Sequence, residues 1–225
     1  MSLWIKICGN TSLEDAMTAA VAGADAVGFV FAPSPRRVKV EKVAVIAPQL
    51  PPSVEKIGVF VDASLDEIVS TVERCELTGV QLHFSTVPGL PARLRLRLGP
   101  QLRILRAVHA GAEAKKEAAA IAADSNVDAV LVDSRVGEVV GGTGTTFDWV
   151  EARKTVFNDP GKFKLIAAGG LNHTNVAEAI ATLQPWGVDV ASGVEASPGR
   201  KDPGKVRLFV TRARAATSRG ETQQG

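Results

Sequence analysis

The chain has 225 residues, 45% of them hydrophobic, and its 26 basic and 24 acidic residues leave a net charge of +2. That length suits one domain with a sizeable core, and the near-balanced charge argues against a nucleic acid or an anionic membrane as partner. No apolar run approaches the roughly 20 residues of a membrane helix, MSLWIKICGN lacks signal-peptide character, and two cysteines, Cys8 and Cys75, suit free thiols in a reducing cytoplasm.

In chain order, Leu3 to Ile7 is the first expected strand, ending at Cys8-Gly9. Thr11-Ser12-Leu13-Glu14 has the form of a capping box and leads an alanine-rich helix to about Ala22. Asp25 to Phe31 is a second buried strand, and Val54 to Val61 a third, closed by Asp62 and followed by a helix over Ser64 to Cys75. Gly79 to His83 is the fourth. RLRLRL (Arg93 to Leu98) alternates like a strand, but Leu90, Leu94 and Leu98 recur at helical spacing and Pro91 suits a first turn. It is assigned to the fourth helix, with its arginines on a solvated face. Leu102 to Val108 is the fifth strand, and Ala112 to Ala123 its helix.

The stretch Val127 to Trp149 carries the densest chemistry. Ala129-Val130-Leu131-Val132 reads as a strand buried on both faces, and it stops at a carboxylate, Asp133. A loop with Gly137, Gly141, Gly142 and Gly144 follows, and Thr145 or Thr146 can cap a helix starting near Phe147. Such a turn is an anion cradle by its backbone N–H groups, or simply a tight connection that needs glycines. Lys164 to Ala168 is the seventh strand, followed by Gly169-Gly170 and a helix over Asn175 to Leu183. Val188 to Ala191 is the eighth, followed by Ser192-Gly193-Val194-Glu195, and a last helix spans Gly204 to Ala215.

Strand starts near positions 3, 25, 54, 78, 102, 128, 164 and 188 leave room for one strand and one helix each. Eight βα units predict a single (β/α)8 TIM barrel, with a doubly wound open sheet as the structural rival. Residues 1–217 form the expected barrel domain, and the polar stretch 218–225 is expected to fray. The strand tips of a TIM barrel share one face, where its active sites lie.

Several motifs then occur in order: Lys6-Ile7-Cys8-Gly9, Gly28-Phe29-Val30-Phe31 with Ser34-Pro35-Arg36, Val80-Gln81-Leu82-His83, Gly141-Gly142-Thr143-Gly144, Ala168-Gly169-Gly170-Leu171, and Asp189 through Ser192-Gly193-Val194-Glu195 with Lys201-Asp202. Across residues 5 to about 206 the chain resembles the phosphoribosylanthranilate isomerase family of tryptophan biosynthesis. The resemblance implies an Amadori rearrangement of a small phosphoribosyl substrate without a metal or organic cofactor, in a monomer or homodimer of the cytoplasm. It implies Cys8 as general base and Asp133 as general acid. It places Arg36 on the anthranilate carboxylate, and Gly142, Gly169, Gly170, Ser192 and Gly193 on the phosphate. Surroundings that favour the Cys8 thiolate and hold a proton on Asp133 are therefore expected. Cys75 is expected to be packing, and Asp62 a cap or supporting residue. One departure stands out: the family's glycine after the VQLH histidine is Phe84 here, which predicts a reshaped loop and unsettles any role for His83. Two alternatives remain at this stage, a sister sugar-phosphate isomerase of histidine biosynthesis and a barrel that binds a phosphometabolite without turning it over.

Overall fold

Eight strands lie side by side in chain order and close into a barrel. A computed structural model describes residues 3–109, 113–133, 149–158 and 163–221, with side chains through Thr217. The barrel strands are β1 (Trp4–Ile7), β2 (Ala26–Val30), β3 (Glu55–Val61), β4 (Gly79–His83), β5 (Arg103–His109), β6 (Ala129–Asp133), β7 (Leu165–Ala168) and β8 (Gly187–Val190). All neighbours run parallel, and β1 pairs with β8, Ile5 opposite Val188 and Ile7 opposite Val190, which closes the ring and excludes an open sheet. Helices α1 (Leu13–Val21), α2 (Val40–Ile46), α3 (Leu65–Arg74), α4 (Leu90–Leu98), α5 (Ala114–Ala122), α6 (Trp149–Lys154) and α7 (Val176–Leu183) connect successive strands, and α8 (Pro203–Glu221) follows β8. The expected start of α6 near Phe147 and its threonine cap lie outside the described residues.

The alternation of strand side chains builds two apolar layers. On β6, Val130 and Val132 join the large cluster between sheet and helices, whereas Ala129 and Leu131 join a smaller cluster with Trp4, Ile57, Leu105 and Ile166 inside the barrel. All five β6 residues are buried, as a strand covered on both faces requires.

Local signals behave as expected with three refinements. Ser12, not Thr11, caps α1: its Oγ accepts from the Asp15 amide at 3.1 Å and donates to the Asp15 carboxylate at 2.8 Å, so the box is displaced by one residue. RLRLRL is helical, with Leu90 and Leu94 buried, but Arg95 does not face solvent. It donates to the Pro100 and Leu102 carbonyls and to Asp128 at 2.7 Å, tying α4 to the start of β5 and β6. The final helix continues past Ala215 to Glu221. An antiparallel pair that sequence periodicity did not suggest, β9 (Glu195–Ser197) with β10 (Arg200–Lys201), sits between β8 and α8.

Phe209 is fully buried where α8 meets the large cluster. Phe209→Ala should lower stability by about 3–5 kcal/mol, through lost transfer energy and the cavity it leaves. The check is the urea unfolding midpoint, which should fall without a change in slope.

Candidate active site at the C-terminal rim of the barrel

Parallel strands bring the tips together at one rim, and the candidate residues come from five of them. Cys8 directly follows β1, its amide donating to Val190 O at 2.7 Å. Asp133 is the last residue of β6 and is buried; two strands, β7 and β8, separate its strand from that of Cys8. Arg36 lies in the turn after β2, where its amide donates to Ser34 Oγ at 3.1 Å. Gly169-Gly170 follow β7, and Ser192-Gly193 open a single 3₁₀ turn after β8. Gly142 lies outside the described residues.

Beneath Cys8 the barrel holds a buried polar chain. Lys6, two residues earlier on the same face of β1, has no solvent exposure. Its ammonium donates to Asp189 Oδ1 at 2.8 Å and to Gln81 Oε1 at 2.9 Å. Because an ammonium can only donate, Gln81 must turn its carbonyl to Lys6 and its NH₂ to His83 Nε2, 2.7 Å away. That nitrogen then accepts, which puts the proton of a neutral His83 on Nδ1. Burial pulls the Lys6 ammonium down most, but Asp189 and Cys8 together, by charge and hydrogen bond, outweigh it and the net direction is up, so Lys6 stays charged. Burial pushes the Cys8 thiol up; Lys6 and Lys201 pull it down and Asp189 adds to the rise, with the net direction upward. The expectation of a thiolate-favouring pocket is met only in part: the cations are present, but burial and Asp189 outweigh them.

Space for this arrangement comes from Gly28 on β2. A Cβ there would stand 2.7 Å from Cys8 Sγ and 3.0 Å from Lys6 Cε. The neighbouring Gly9 does the same for Arg36, whose Cδ lies 2.6 Å from the place a Cβ would take. Arg36 therefore packs against the backbone of Gly9, the residue after Cys8.

The guanidinium is gripped bidentately. Arg36 Nε and Nη2 donate to the two Glu195 carboxylate oxygens at 2.7 and 2.6 Å. Glu195 also accepts from the buried Lys201 at 3.2 Å, and Lys201 donates to Ala191 O at 3.1 Å. Burial alone would raise the Glu195 pKa, but the hydrogen bond from Arg36 and the charge of Lys201 hold it below the usual carboxylate range. Lys201 moves down, because burial costs it more than a carboxylate shared with Arg36 returns. Glu195 and Lys201 lie on β9 and β10, and no periodic signal marked this pair.

The loops after β7 and β8 pack against each other where the phosphate end was expected. A Cβ on Gly193 would fall 1.9 Å from Leu171 O, so only glycine allows this approach. Across the rim, Phe84 keeps a left-handed backbone, φ +36°, despite its side chain. Its exposed ring stacks on His109, centroids 5.3 Å apart. A bulky residue in this conformation is strained, and the stack lines that side of the rim with an aromatic wall. Asp62 caps this loop, accepting from Thr86 N and Oγ at 3.2 and 2.8 Å. Cys75 is buried at the end of α3, its Sγ 3.4 Å from Val40 O, as a packing residue. Among the described residues, no cluster of His, Cys, Asp and Glu is arranged to hold a metal.

A closed parallel barrel with a buried thiol, a buried carboxyl and an anchored guanidinium at one rim defines a TIM-barrel enzyme equipped for acid–base chemistry on an anionic small molecule. The family profile for N-(5′-phosphoribosyl)anthranilate isomerase matches residues 5–212. A relative of that name from Citrifermentans bemidjiense is 44% identical over 211 residues, 93% of this chain and 96% of the relative. A solved phosphoribosyl anthranilate isomerase in complex with reduced 1-(o-carboxyphenylamino)-1-deoxyribulose 5-phosphate superposes with TM-score 0.78 at 35% identity, covering 95% of this chain and 99% of the other. A monomeric form of the dimeric Thermotoga maritima enzyme gives 0.74 at 33% identity, covering 94% and 98%. The chain belongs to the N-(5′-phosphoribosyl)anthranilate isomerase family, whose reaction is a step of tryptophan biosynthesis.

Two predictions come from this geometry. Gly28→Ala should leave the barrel folded yet displace the thiol, cutting turnover far more than stability; steady-state rates beside thermal melts check this. For Glu195→Gln the sign follows from the depressed carboxyl: the stabilisation is complete above the ordinary value near 4.5 and is lost as pH falls through the folded value. Wild type should therefore exceed the variant in urea stability at neutral pH, and the gap should close on acidification.

Proposed function

We propose that this chain isomerises N-(5′-phosphoribosyl)anthranilate to 1-(2-carboxyphenylamino)-1-deoxyribulose 5-phosphate with Asp133 as acid and Cys8 as base. The observation that carries the role assignment is the placement of a buried thiol and a buried carboxyl on the same rim, with β7 and β8 between their strands. Asp133 gives a proton to the furanose ring oxygen, the C1′–O bond breaks, and an iminium forms. The Cys8 thiolate then takes the C2′ proton, leaving an enolamine that tautomerises to the ketone. Asp133 ends one proton short and Cys8 one proton up, so a proton returned through solvent resets the site. The iminium brings positive charge to the buried thiol at the step that needs thiolate, offsetting the burial that otherwise keeps it protonated. The chemistry is proton transfer alone and calls for no metal or organic cofactor.

Arg36 takes the anthranilate carboxylate, with Glu195 fixing the plane of its guanidinium. The phosphate is held by Gly142, between β6 and β7, and by backbone N–H groups of Gly169, Gly170, Ser192 and Gly193 in the loops after β7 and β8, where this fold commonly provides such a site. Support for a phosphoribosyl ligand comes from the relative solved with a reduced product. Residues 1–217 act as one catalytic domain with a polar tail at 218–225, as a monomer or homodimer in the cytoplasm; no described helix is long and apolar enough to cross a membrane.

The test is fluorescence-monitored consumption of phosphoribosylanthranilate. Cys8→Ser and Asp133→Asn should fold and lose about 10²–10⁴-fold in turnover, while Arg36→Ala should chiefly raise KM. Near-normal rates in either of the first two would remove that residue from its role, and an unchanged KM would do the same for Arg36.

A further inference from the structure

We propose that Lys6 is a positioning residue of the isomerisation: its buried ammonium, clamped by Asp189 and Gln81, is a fixed charge that stabilises the Cys8 thiolate. Lys201 acts on the thiol in the same direction, but more weakly. This rests on Cys8 being the base. The geometry is specific. Lys6 and Cys8 project from β1 onto the same face, and both reach the point that a Cβ on Gly28 would occupy, Sγ at 2.7 Å and the Lys6 Cε at 3.0 Å from it. The ammonium is one bond beyond that carbon, so the charge and the sulfur share the gap that Gly28 leaves.

A charge with no solvent access is a poor way to stabilise a barrel, since apolar side chains of similar volume fill the same space without desolvation. The interior beneath this layer is indeed apolar, formed by Trp4, Ile57, Leu105, Leu131 and Ile166. The polar layer begins only directly under the thiol. Each polar atom there also has a fixed role. Asp189 on β8 and Gln81 on β4 reach Lys6 from opposite sides, at 2.8 and 2.9 Å, and keep the ammonium centred and protonated. Asp189 opposes the thiolate by charge, while Lys6 favours it. The pair therefore tunes the thiol by difference. In the base step the C2′–H bond breaks, the S–H bond forms, the C–H electron pair becomes the C1′=C2′ bond of the enolamine, and the iminium π pair moves onto nitrogen. Lys6 keeps its proton throughout.

The test reads the thiol without turnover. In a Cys75→Ala background, which leaves one thiol, the thiolate absorbance and the iodoacetamide rate of Cys8 are followed against pH. Lys6→Met should leave about ten-fold less thiolate at pH values below both midpoints, with the midpoint moving up and kcat falling while KM changes little. Asp189→Asn should move the midpoint the opposite way, down, and Lys6→Arg should hold it near that of the parent. An unchanged midpoint in Lys6→Met overturns the proposal even if activity is lost. If Lys6→Met does not fold, an upward or absent shift in Asp189→Asn overturns it instead. Failure of the Cys8 assignment shows separately, as normal turnover by Cys8→Ser.

Discussion

An ammonium without solvent access at the centre of a parallel barrel has to be neutralised by the barrel itself. In this protein Asp189 does so, while Gln81 accepts a second hydrogen bond from Lys6. The two partners come from β8 and β4, so the ion pair also spans the seam where the barrel closes. Leaving any one member unpaired would bury an uncompensated charge or dipole, which costs several kcal/mol in typical proteins. The strands therefore have to meet in this register for the layer to exist, and Cys8 inherits its place from that register.

A second buried ionic group shapes the rim. Arg36 and Lys201 share one carboxylate, Glu195, carried by the β9–β10 hairpin. The arrangement fixes the orientation of the guanidinium at the rim. Phe84 shows how far a local departure can be absorbed. It accepts a left-handed backbone, and the Asp62 cap and the stack on His109 hold it there. The wall on that side of the mouth is aromatic.

Most of the barrel was legible from the order of its residues. Continuous apolar runs such as Ala129 to Val132, each closed by a polar residue and separated by one helix length, leave few topologies open, because parallel strands need crossovers and right-handed crossovers curl the sheet one way. RLRLRL was separable from a strand by leucine spacing and Pro91. Much of the site was legible for the same reason: Cys8, Asp133, Gly169 and Ser192 all stand at strand ends, and strand ends converge. The capping residue of α1 and the inward role of Arg95 were not, since one turn of helix offers neighbouring candidates that only packing can separate.

Sequence alone determined the eight-unit architecture, the strand-tip residues and the family, because these depend on local periodicity and on ordered motifs. Tertiary structure decided which charges meet. Lys6 and Asp189 are 183 positions apart, and Arg36 and Glu195 are 159 apart. No pattern along the chain records such pairs; closure of the barrel makes them neighbours. Burial then sets the balance at Cys8, where desolvation and Asp189 outweigh nearby cations, a result that depends on water being excluded from all sides.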